Sequence, residues 1–147
     1  MKLSAVTFVG ALAAAVLVAP LAVAAPATAD EGPLRITSAT LARGAVVVQG
    51  TYSCDPAFKA RFIRAGATQF QYQGEDENEV RAAKSLTDRP CTGGNRRFQI
   101  TVSPRNGAEF LPESDDATPV YVEVELTVTD QNNYLEDEAF SMAVVNG

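Results

Sequence analysis

The chain has no histidine, no tryptophan and only two cysteines among its 147 residues. Without histidine it lacks both the commonest general base and the commonest transition-metal ligand. Ser-His-Asp and Cys-His nucleophilic systems are therefore excluded. No Gly-rich phosphate-cradling motif of the G-x-x-x-x-G-K-[ST] or G-x-G-x-x-G type occurs. The missing tryptophan also removes the large flat side chain that most often lines sugar clefts and packs the core of antibody domains.

The two cysteines allow one intramolecular pairing. Cys54 and Cys91 are expected to form a disulfide, with no soft ligand left over for zinc. A redox-active pair would need a Cys-x-x-Cys spacing or a neighbour that lowers a thiol pKa, and the chain has no histidine for that role. The bridge is expected to be structural.

Charge is absent from the first long segment. After Met1 and Lys2 the chain runs uncharged from Leu3 to Ala29, rich in Ala, Val and Leu, and closes on the small-x-small triplet Ala27-Thr28-Ala29 before Asp30 and Glu31. That pattern predicts a secretory signal peptide over residues 1–29, cleaved after Ala29. The run is long enough to span a bilayer, but Pro20 and Pro26 interrupt it and acidic residues follow, which suits cleavage better than a stop-transfer helix. Lipidation would need a cysteine directly after the cleavage site, and the first is Cys54.

Removing 29 of 147 residues leaves 118, the size of one domain, expected over residues 30–147. Loss of Lys2 leaves 11 of the 12 bases against 18 acids, a net charge of −7. Such a surface repels nucleic acid and anionic lipid, so neither is expected as a main partner, and no membrane insertion is expected once the leader is gone.

The mature segment shows no sustained helical spacing of apolar residues, whereas period-two alternation recurs throughout. Strands are expected over 34–42, with Ile36 and Leu41 its apolar contributions, and 45–54, with Val46, Val48, Tyr52 and Cys54 on one face. A strand over 61–73 carries Phe62, Phe70 and Tyr72 on one parity, with Gly66 as a bulge. Residues 74–78 read as an acidic loop and 79–86 as a weaker strand. Further strands are expected over 96–103, 119–129 and 139–145, the last with Phe140, Met142 and Val144 turned inward, and a short edge strand is expected near 108–111. About seven strands in a domain of this length predict an all-β, immunoglobulin-like antiparallel sandwich, with a small barrel as the second choice.

Two groups of side chains could carry chemistry. Glu123 and Glu125 lie about 7 Å apart on one strand face, and paired carboxylates are the minimal equipment of a glycoside hydrolase. They are expected on a solvated outer face. Asp130, Asn132, Asn133, Glu136, Asp137 and Glu138 crowd oxygen-bearing side chains into one segment, the kind of ligand a calcium ion takes. Tyr134 and Leu135 break the EF-hand pattern, and Asp-x-Asn-Asn is also ordinary turn chemistry. Basic residues gather at Lys59, Arg61 and Arg64 and at Arg96, Arg97 and Arg105.

The Ala-rich leader, the strand end Gly50-Thr51-Tyr52-x-Cys54, the turn at Cys91 ahead of Arg97, Phe98 and Val102, and the Val-rich strand closing on Asp130 together resemble a set of small exported domains of unknown function from high-GC Gram-positive bacteria. The resemblance implies a secreted, disulfide-linked β-domain and transfers no activity. These features together predict a secreted, extracellular or wall-associated, non-catalytic domain that binds a protein or cell-envelope ligand. A calcium-stabilised module and a small carboxylate-dependent hydrolase are the alternatives.

Overall fold

Alternating sequence becomes seven antiparallel strands in the computed structural model, which describes residues 32–146. The expected leader over 1–29 lies outside the described residues. The strands are β1 (Leu34–Ala42), β2 (Ala45–Tyr52), β3 (Lys59–Gln73), β4 (Asp76–Pro90), β5 (Arg96–Val102), β6 (Val120–Thr129) and β7 (Leu135–Val145). One sheet has the order β1-β2-β5 and the other β4-β3-β6-β7. The expected all-β sandwich is thus observed, with β2–β5 and β3–β6 as the non-local pairings at its centre. Among the described residues there is no helix, and so none long and apolar enough to cross a membrane.

The core lies between the sheets. Val46, Val48, Ile100 and Val102 face Ile63, Ala65, Val124 and Leu126, all of them buried. Each large aliphatic side chain removed from water contributes roughly 1.5–3 kcal/mol. In β6 Val120, Val122, Val124, Leu126 and Val128 lie inside, while the opposite parity is exposed at Tyr121 and Glu123 but buried at Thr127 and Thr129.

Bulges set the faces elsewhere. Ile36 and Leu41 differ in parity, yet both contribute to the core, because the β1–β2 register shifts between Ile36 and Ser38 and the extra residue reverses the facing of the rest of the strand. In β3 the irregularity falls at Arg61, between Ala60 and Phe62, where Arg61 Nη1 donates to Asp88 Oδ1 at 2.7 Å. The expected bulge at Gly66 does not form, since Gly66 pairs regularly with Ala83 and Glu123.

Three expectations about extent are corrected. β4 runs from Asp76 rather than from residue 79, because Gly74, at φ 68°, lets a two-residue turn close and ladders the acidic segment onto β3. β7 begins at Leu135, and its register turns Phe140, Met142 and Val144 outward while Ala139, Ser141, Ala143 and Val145 face inward. β1 packs beneath β7 and donates the Ile36 N–H to Ser141 Oγ at 3.4 Å, and small side chains permit that approach. No strand forms over 108–111. Instead Phe110 is buried and its N–H donates to the Gly44 carbonyl at 2.9 Å.

The disulfide is present between Cys54 and Cys91, with their Cα atoms 5.0 Å apart. Cys54 lies just past β2 and Cys91 just past β4, so the bridge joins one sheet to the other. Beside it Tyr52 Oη donates to the Pro90 carbonyl at 3.0 Å.

Candidate functional site on the outer face of the four-stranded sheet

Because β6 turns its valines inward, its alternate residues Tyr121, Glu123 and Glu125 form one row of the outer face. Their cross-strand partners on β7 are Val144, Met142 and Phe140. The result is an apolar stripe open to solvent: Tyr121 is 49% exposed, Phe140 55%, Met142 72% and Val144 40%. Leu135 and Tyr134, at the turn end of β7, are also exposed. Alternation alone places Tyr121 correctly but buries the three β7 residues, since β7 is apolar on both parities and its bulkier set looks like core.

The next row belongs to β3. Gly66 stands opposite Glu123 on one side and Ala83 on the other, and a Cβ added at Gly66 would meet nothing within 4 Å. This gap is part of an open depression of about 800 Å³ at the β4 edge. Arg64, Arg81, Lys84 and Arg105 line it, and Glu123 is its one acid. Arg81 is ion-paired with Glu79. Of the basic clusters visible in the sequence, only Arg64 and Arg105 meet here.

Glu123 and Glu125 are on the outer face as expected. Glu123 is exposed, and half-buried Glu125 accepts a hydrogen bond from Thr127 Oγ1 at 3.3 Å. The calcium candidates are divided between the β6–β7 turn and the start of β7. Asp130 Oδ1 accepts the backbone N–H groups of Asn132 at 2.7 Å and Tyr134 at 2.9 Å, closing the β6–β7 turn, and Asn133 adopts φ 68° within it. Glu136 is the extra residue at the register shift entering β7, and Asp137 and Glu138 point to opposite faces of that strand. Among the described residues no group of three or more His, Cys, Asp or Glu side chains is placed to hold a metal ion.

Two features of this sheet have no counterpart among the expectations. Gln69, on the core face of β3, is fully buried, and its amide donates to the carbonyls of Leu111 and Thr118, both at 2.7 Å. Its Oε1 accepts the Leu111 N–H at 2.8 Å and the Gln71 amide at 2.9 Å. One side chain thus ties the long β5–β6 connection to the sandwich. Tyr72 stands opposite Glu77 across the β3–β4 ladder, and interaction of its phenol with that carboxylate raises its pKa, with desolvation and the negative charges of Glu77 and Tyr121 adding to the effect.

No protein-family model matches the chain, and no curated protein matches it. Among solved structures it is similar to Spo0M, a sporulation control protein from Bacillus subtilis, at 13% identity and a TM-score of 0.40. That likeness covers 78% of this chain and 48% of the Spo0M chain, so this chain spans about half the length of that protein.

Proposed function

We propose that this chain is an exported, non-catalytic domain that binds an extracellular protein through the outer face of β6 and β7. The observation that carries the reading is the solvent-exposed stripe of Tyr121, Phe140, Met142 and Val144. Contiguous apolar surface is costly to leave in water, and aromatic residues and methionine are the types enriched at protein interfaces. The Lys2-led leader and the disulfide support placement outside the cytoplasm. Immobilised protein exposed to culture supernatant and envelope extract should retain a partner, and Phe140→Ser with Met142→Ser should release it. Retention that survives both substitutions would remove this face from the reading, whereas a Gln99→Ser control on the opposite sheet should change nothing.

A second reading rests on the basic depression around Gly66. Four cationic side chains lining one depression, in a chain of net charge −6, suit an anionic envelope polymer. Salt should then displace the protein from isolated cell wall, and Arg64→Glu with Lys84→Glu should abolish retention. Binding that ignores both salt and charge reversal discards it.

A further inference from the structure

The two edges of the four-stranded sheet are defended differently. β4 carries charged residues along its whole length, from Asp76 to Arg89, and ends on Pro90, all familiar devices against edge-to-edge pairing. β7, which pairs with β6 alone, has such protection only at its start, in Glu136, Asp137 and Glu138. From Ala139 to Val145 it presents seven residues without charge or proline, with the apolar stripe on one side of them.

We infer that the protein bound at this face is a second copy of the chain, added antiparallel along β7 to make one continuous eight-stranded sheet. The inference rests on the binding reading above and names its partner. A two-fold related strand pair keeps each residue on its own face only if paired positions share parity. Centring the two-fold on Met142 sets Met142 against its copy, Phe140 against Val144 of the other chain and Ala139 against Val145. All three acids then lie beyond the paired segment. Sliding the two-fold toward the start of β7 draws the acids into the paired segment, setting Glu138 against Val144 and then Met142 of the other chain, and against its own copy once the two-fold is centred on it. The register centred on Met142 is therefore the longest pairing that keeps all three acids of β7 outside the paired segment.

Sedimentation velocity on the exported protein, from low micromolar to near-millimolar concentration, tests this. The dimer fraction should rise with concentration, and Phe140→Lys alone or Val144→Glu alone should give monomer throughout. The double variant should restore association, because each new cation then faces the new carboxylate of the other copy. Within one chain those positions are about 13 Å apart along the strand and cannot substitute for that contact. Met142→Lys, at the most exposed position of the stripe, is a second disrupting variant should either of the others fold poorly. A wild type that stays monomeric, or a double variant no better than the singles, overturns self-pairing. A monomer that still retains a foreign protein through Phe140 leaves the binding reading standing while removing this one. A monomer that retains nothing removes both.

Discussion

Gly50 of β2 lies directly under Phe98, its cross-strand partner on β5. A Cβ at Gly50 would sit 2.5 Å from Phe98 Cζ and collide with the Arg35 carbonyl oxygen of β1. The ring occupies the space that the missing side chain leaves in the core. Gly50→Ala must displace both a packed ring and a backbone group, and overpacking of this kind costs roughly 1–3 kcal/mol. Urea denaturation should show the loss. Gly66→Ala, which meets open space, should cost less.

Gln69→Leu should be more damaging than its similar size suggests. It strands the Leu111 N–H and the carbonyls of Leu111 and Thr118, and each unsatisfied buried group costs about 1–3 kcal/mol. A total loss of at least about 3 kcal/mol is expected. Amide exchange at Leu111 should accelerate by more than the global destabilisation alone predicts.

Reducing the Cys54–Cys91 bridge opens a loop with a sequence separation of 37. In the chain-entropy view that releases about 4 kcal/mol of constraint on the unfolded chain. The reduced protein should melt well below the oxidised one while keeping β-sheet circular dichroism at low temperature.

The raised Tyr72 pKa fixes the sign of one pH effect. The folded state holds this phenolic proton more tightly than the unfolded chain, whose value is near 10. The Tyr72–Glu77 contact is therefore fully stabilising below about pH 10 and is lost as pH rises through the higher folded value. Alkaline titration of phenolate absorbance should show one late-titrating tyrosine. Either Tyr72→Phe or Glu77→Gln should abolish that delayed component.

Asp130 spends one carboxylate oxygen on two backbone N–H groups of the β6–β7 turn. Asp130→Ala should lower stability by about 1 kcal/mol through loss of that turn. Millimolar calcium should leave the wild-type melting midpoint where it is. A midpoint that climbs with calcium would show that these oxygens serve an ion as well as the turn.

The strands whose residues divide cleanly between core and water are legible from sequence alone. β5 and the first half of β6 declare their faces, and β2 sets Val46 and Val48 against Gln49 and Thr51, whereas alternation turns Thr127 and Thr129 to water although both are buried. β7 does not, because Ala139, Ala143 and Val145 compete with Phe140, Met142 and Val144, and hydropathy favours the bulkier set. What decides is tertiary: β1 lies close beneath, and only small residues fit there. The acidic start of β4 reads as a solvated loop, yet its backbone is held by β3, with Glu77 opposite Tyr72 and Glu79 opposite Phe70. Gln69 carries no sequence signal, since all but one of its partners are backbone groups more than forty residues away. The candidate site is hidden for the same reason as the facing of β7. Its residues have the composition of a core.

The bridge between the two sheets also alters what the chain transmits under load. Tension applied between β1 and β7 passes from Cys54 to Cys91 through the sulfurs and bypasses the β3–β4 hairpin. About 120 Å of contour, at roughly 3.4 Å per residue, is withheld from extension. A domain pulled from its ends can lose its outer strands and still keep its longest hairpin inside a closed covalent ring. In an oxidising exterior it has a short, stiff tether, and in a reducing one a long, compliant one.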